Sequence, residues 1–363
     1  MGLIGILDGA TVKNVKFASV SVTGKNDVGT AVGRIINGGT VSGVQVLGGT
    51  VSGAKRVGGV VGSIKANGTV SDCTNAAGVT ANDRNAGGIV GSAYYTETGK
   101  QMYITNCENN GAVTASGGVC GGIASLSAAN VSGNTNTAAV KGTEVGGIVG
   151  EQKSYGSVTN NTNSGAVMNT GGNAAYGAGG IIGWLRYHGR SEANAYPVSE
   201  IISVTGNKNS GSVTGGNDAG GIVGTVYNSA VIMNNQNTAA SFSAATFAAG
   251  IVGNYQTVET PAAEAPAQNK LTFGSNTSTT PLEQINANCK DLLIYTNGNP
   301  IIEEVVPDPT PEQPPHYYYH PTTDTKTDTT KGSPKTFDAG VGIYAVTAVL
   351  SVTGMAWTAK KRH

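Results

Sequence analysis

The sequence predicts an all-β chain: a parallel β-solenoid (β-helix) of about nine 29-residue turns, followed by a disordered tether and a C-terminal transmembrane helix. Three observations predict it. A glycine-rich word recurs through residues 1–255, an Asn-rich word is interleaved with it, and an uncharged run stands just before the C-terminus. Composition agrees: 55 of 363 residues are Gly, 12% are charged and 6% are aromatic, where about a quarter charged is usual. Large core residues are scarce, so the chain needs many thin layers rather than one thick core. The 22 Lys+Arg balance 22 Asp+Glu, which gives no electrostatic basis for nucleic-acid binding. It also excludes a highly charged disordered chain.

The glycine word reads Gly58-Gly59-Val60-Val61-Gly62, Gly87-Gly88-Ile89-Val90-Gly91, Gly146-Gly147-Ile148-Val149-Gly150, Gly179-Gly180-Ile181-Ile182-Gly183 and Gly220-Gly221-Ile222-Val223-Gly224. With weaker copies, the starts fall at 1, 29, 58, 87, 121, 146, 179, 220 and 249. Most departures from 29 are insertions. The second word runs Val70-Ser71-Asp72-Cys73-Thr74-Asn75, Ile104-Thr105-Asn106-Cys107-Glu108-Asn109, Val158-Thr159-Asn160-Asn161-Thr162-Asn163 and Val204-Thr205-Gly206-Asn207-Lys208-Asn209, each followed by Gly and Val within four residues. Each unit thus holds short β-branched runs separated by Gly and Asn, residues that accept turn conformations. No unit can bury a core alone, so units must stack. Stacking places Asn75, Asn109, Asn136, Asn163, Asn209 and Asn237 in one column, with amides bonding along the axis. Periodicity does not settle which of the paired Ile/Val residues faces inward; in a flat strand they face opposite ways.

These words resemble the GLUG-type repeats of bacterial surface proteins, which include adhesins and non-catalytic regions of some immunoglobulin A peptidases. The resemblance covers residues 1–255 and implies a stalk or binding surface rather than an activity.

After Tyr255 the composition changes. Residues 256–300 read as an exit and capping segment, and 301–332 as a Pro/Thr-rich tether with no core-forming pattern. Residues 339–359 carry no charge and precede Lys360-Lys361-Arg362-His363. As a helix this run is long enough to cross a bilayer, with the basic tail on the cytoplasmic side. Before it stands Ser333-Pro334-Lys335-Thr336-Phe337. The order of pentapeptide, apolar span and basic tail resembles the cell-wall sorting signal of Gram-positive bacteria. That resemblance implies cleavage after Thr336 and linkage of its carboxyl to peptidoglycan by a sortase. Pro334 and Thr336 match the family word, whereas Ser333 replaces Leu and Phe337 replaces Gly. Plain retention in the plasma membrane by residues 339–359 is the alternative, and either route places the repeats at the cell surface. Met1-Gly2-Leu3-Ile4-Gly5 already sits in the repeat frame without a basic leader. A surface protein needs an export signal, so the chain is expected to lack its natural N-terminal part.

Chemistry-bearing motifs are sparse. There is no HExxH, GxSxG or GxxxxGK[ST], and His188, His316, His320 and His363 are scattered. Cys73 and Cys107 share a place in successive units. One rung apart, their Cβ atoms would stand ~4.8 Å apart, long against the ~3.8 Å of a disulfide, so two small buried thiols are expected. Cys120 and Cys289 have no evident partner, and no cofactor or metal is expected. Aromatic residues gather after the glycine words: Tyr94, Tyr95, Tyr155, Trp184, Tyr187, Tyr227 and Tyr255, with Arg186, His188, Arg190 and Tyr196 in or beside the largest insertion. Stacked along one edge they form either an exposed strip for a glycan or protein ligand or a cover over the solenoid corner. The expectation is a non-enzymatic surface protein, adhesin or ligand-presenting stalk. A carbohydrate-processing β-helix enzyme and a passive spacer for a further N-terminal domain are the alternatives.

Overall fold

The computed structural model describes residues 1–95, 101–153, 156–171, 177–186, 202–227, 230–256 and 271–279. Within them the chain is all-β, without a helix. Three sheets have nine strands each and a fourth has fourteen. Strands one turn apart in the sequence pair in parallel, as Val61–Lys65 does with Val32–Ile36 and Val90–Tyr95. This is the stacked coil that the repeat words call for, and nine turns span on the order of 40 Å.

Each turn follows one path, clearest in the third. The first face is Val61–Lys65, the second Thr69–Ser71, the third Thr74–Asn75, and the fourth the long strand Gly78–Gly87. The fourth face is continuous in Gly49–Gly58 and Gly78–Gly87. It divides in later turns, as in Val113–Ala115 and Val119–Gly121, which accounts for the larger strand number. Between the second and third faces the chain turns through a left-handed residue, at Asn14, Gly43, Asp72, Asn106, Gly133, Asn160, Gly206, Asn234 and Ser275. Gly follows Asn at three of these steps, Gly43, Gly133 and Gly206, for a steric reason. A Cβ on Gly133 would lie 2.6 Å from Asn106 Oδ1, and one on Gly206 2.3 Å from Asn160 Oδ1.

The core is a set of axial columns. Val41, Val70, Ile104, Val131, Val158, Val204 and Ile232 form one, and Val51, Val79, Val113, Val140, Val167 and Val213 another, all buried. Each fully buried Val or Ile contributes about 1.5–3 kcal/mol. Both members of each Ile/Val pair in the glycine words are buried as well. Strand alternation fails there because the chain bends between them: the N–H groups of Val60 and Val61 both donate to the Ile89 carbonyl, at 3.1 and 3.0 Å.

The solenoid does not end at residue 255. Leu271–Gly274 pairs with Ala230–Met233, and Thr277–Ser278 with Gln236–Asn237, so they complete the ninth turn. The sequence reading places these residues in the exit segment, because 256–270 interrupts the period. Among the described residues no helix is long and apolar enough to cross a membrane. The tether, Ser333, Pro334, Lys335, Thr336, Phe337, the run 339–359 and Cys289 lie outside the described residues.

Candidate functional site: ladders, crease and aromatic edge

The expected Asn column is present and buried. Nδ2 of Asn75 donates to Oδ1 of Asn109 (3.0 Å), and the same bond links Asn109 to Asn136, Asn136 to Asn163, Asn163 to Asn209 and Asn209 to Asn237, at 2.8–3.0 Å. Asn237 ends the series on Ser278 Oγ. The second amide hydrogen goes to the backbone carbonyl two residues on, as from Asn163 to Gly165. The buried amides are therefore satisfied along the column.

A second ladder runs beside it, unforeseen from the sequence. Asn134, Asn161, Asn207, Asn235 and Asn276 bond in order at 2.9–3.0 Å. Each Oδ1 also accepts the backbone N–H of the turn before, and Asn134 does so from Cys107. Cys73 and Cys107 occupy the same column and are free, buried thiols. Val44 precedes them there, so the column passes from Val through Cys to Asn. Cys is a step in polarity between an apolar and an amide rung.

The glycine word creates a further feature, a crease along the outside. Residues seven apart face each other across its bend, on the side opposite core residues such as Val28 and Ile35. Arg34 is ion-paired with Asp27, and Thr225 Oγ1 donates to Asp218 at 3.0 Å. Arg56 of the next turn adds a bidentate contact to Asp27, at 2.6 and 3.1 Å. Burial works against the Asp27 carboxylate, but the hydrogen bonds led by Arg56 outweigh it and hold the pKa at about 2. Asp218 is raised by burial, opposed by Asn254 and Thr225.

One crease pair is unlike the rest. Where the fifth turn passes into the sixth both positions are acidic, Glu144 and Glu151. Arg186 Nε donates to Glu151 Oε1 at 2.9 Å, and Lys153 Nζ lies 3.4 Å from the same oxygen. Among the described residues Glu144 Oε2, which is buried, has no hydrogen-bond partner. Burial pushes the Glu144 carboxyl up to about 7 and the Glu151 charge adds to the rise, with Arg186 and Lys153 opposing it.

The aromatic residues divide among several places. Trp184 stands in the crease column, in register with Glu151 and Thr225, and the Arg186 guanidinium lies 3.9 Å above its ring centroid. Tyr227 pairs with Arg186 and Gln256 in the adjacent, part-exposed column. Tyr94 is part-exposed, with Lys153 Nζ 4.7 Å from its ring centroid. Tyr95 pairs with Lys65. Tyr255 departs from an exposed strip: it is 8% exposed, in register with Val226 inside the core. An odd-even shift along one strand separates it from Trp184 and Tyr227. Tyr155, Tyr187, His188, Arg190 and Tyr196 lie outside the described residues. Among the described residues no group of three or more His, Cys, Asp or Glu could hold a metal ion.

Comparison of the chain with family models, with curated proteins and with solved structures finds no match.

Proposed function

We propose that the chain is a non-enzymatic, surface-anchored repeat protein that acts as an adhesin or ligand-presenting stalk. The observation that carries this reading is the continuous parallel stacking of all nine turns, from Ile4–Asp8 to Val252–Gln256 on the first face. A closed stack of parallel strands, its interior filled by Val and Asn columns, is a stiff rod suited to projecting a surface. Within the resemblance to GLUG-type repeats, the part-exposed Trp184, Tyr94 and Tyr227 are the side chains offered to a glycan or protein ligand. The C-terminal residues supply the anchor, through peptidoglycan linkage at Thr336 or through residues 339–359 in the membrane.

Glycan and protein arrays test the ligand reading. Binding should fall at least tenfold in Trp184→Ala or Tyr227→Ala with the fold intact; binding unchanged in both variants contradicts it. Anchoring is tested by fractionation, where Thr336→Ala should move the protein from the wall to the membrane fraction.

The Glu144–Glu151 pair favours a second reading, carbohydrate processing, since paired carboxylates with separated proton affinities serve glycosidic cleavage. Against it, Glu151 is only 3% exposed and is covered by Arg186. Turnover of a glycan that is lost in Glu144→Gln would establish the enzyme and overturn the stalk.

A further inference from the structure

The crease holds compensated pairs at Asp27–Arg34 and Asp218–Thr225, whereas Glu144 and Glu151 place two acids across the same bend. Glu144 has Val119 beside it in the preceding turn, and Gly177 takes the equivalent place in the next. Glu151 has Leu126 on one side and Trp184 on the other. Among the described residues no side chain hydrogen-bonds to Glu144 Oε2, which is buried. Among the described residues, the charged groups that face Glu144 are Glu151 and Lys153 across the bend and Arg186 one turn further on. Both guanidinium contacts go to Glu151, and the same guanidinium covers Trp184.

We propose that Glu144 and Glu151 form a proton-operated catch that sets where Arg186 rests and what charge the aromatic edge presents. With Glu144 protonated, one carboxylate faces two cations, Arg186 stays on Glu151 and Trp184, and the cluster carries one net positive charge. When Glu144 loses its proton, two carboxylates face two cations. Arg186 is then drawn toward Glu144 and away from the Trp184 ring, and the net charge vanishes. Two neighbouring carboxyl groups, Glu151 buried and Glu144 part-buried, do not ionise independently, and burial places the change close to neutral pH. If the aromatic edge is the ligand surface proposed above, an anionic ligand binds better in acid. That consequence alone rests on the functional reading.

The test needs no ligand. The full chain has two tryptophans, Trp184 and Trp357, so Trp357→Phe leaves Trp184 as the sole indole probe. Its emission, excited at wavelengths selective for Trp and followed from acid to alkaline pH, should show a one-proton transition with a midpoint near neutrality. Glu144→Gln, isosteric with the protonated form, should abolish the transition while circular dichroism shows an intact sheet. Arg186→Gln should move the midpoint to higher pH, because the cation that favours ionised Glu144 is gone. A flat titration in the parent chain, or a transition that persists in folded Glu144→Gln, overturns the catch. Failure of glycan binding, by contrast, would leave it standing.

Discussion

Gly180 and Asn209 touch across the inside of the seventh turn: a Cβ on Gly180 would stand 2.3 Å from Asn209 Cγ and 2.1 Å from the Gly221 carbonyl oxygen. The same contact joins Gly59 to Asn75, Gly88 to Asn109, Gly122 to Asn136, Gly147 to Asn163 and Gly221 to Asn237. The two sequence words are therefore opposite sides of one contact. The glycine lets the backbone close on the amide ladder, and the ladder supplies the polar partners that such a tight interior needs. The second turn, which stands before this series, supports the pairing. Where Asn gives way to Val46, the glycine position is held by Thr30, in register with Gly59 through the adjoining Gly29–Gly58 pair.

Gly180→Ala forces the backbone and ladder apart at one turn. Overpacking of this kind costs about 1–3 kcal/mol. Thermal unfolding should show a loss of that size, whereas Gly48→Ala, with no atom within 4 Å of its Cβ, should change little. Equal effects at both sites would refute the packing account.

Asn163→Ala interrupts the first ladder at its middle. Asn136 loses an acceptor and the Gly165 carbonyl a donor. Each buried group left unpaired costs about 1–3 kcal/mol. Chemical denaturation should reveal the loss, and Asn237→Ala near the end of the column should cost less. A neutral Asn163→Ala would show that the ladder bonds add nothing net.

Cys107→Asn extends the second ladder by one rung, with Asn134 Oδ1 and the Val70 carbonyl as acceptors. Stability should stay within about 1 kcal/mol of the parent, the net worth of an ordinary hydrogen bond. Asn134→Val deprives the Cys107 N–H of its acceptor and should cost clearly more, as read by the same denaturation curves.

Asp27 and Glu144 impose opposite pH dependences. Asp27 is depressed in the folded chain to about 2 from 3.8, so its contribution is full above the unfolded value and lost as pH falls toward about 2. Arg56→Gln should move acid unfolding to higher pH. Glu144 is raised from 4.5 to about 7. Its folded state binds the proton more tightly, so stability falls as pH rises between those values. Glu144→Gln should flatten that limb of the stability profile while leaving the acid limb unchanged.

The architecture was legible because its words repeat: turn length, parallel stacking and the Asn75–Asn237 column all follow from period. The second ladder was obscured by Cys73 and Cys107, which present the column as a question of thiols, although Asn161 and Asn163 alternate openly in the sequence. The crease escaped notice because its members differ from turn to turn. Asp27 with Arg34, Glu144 with Glu151 and Asp218 with Thr225 share only their spacing about the glycine word. Tyr255 resembles Trp184 and Tyr227 in sequence position, but one step along a strand turns a side chain from surface to core. The ninth turn was hidden by residues 256–270, across which Leu271–Gly274 resumes the stack.

Hydrogen exchange of the Asn side-chain amides, followed by NMR, addresses the central claim most directly. If the two ladders hold the stack together, the amides of Asn109, Asn136, Asn163, Asn209, Asn161 and Asn207 exchange orders of magnitude more slowly than exposed Asn amides such as that of Asn82, and Asn163→Ala speeds exchange at Asn136. Ladder amides that exchange as fast as Asn82 would contradict the account.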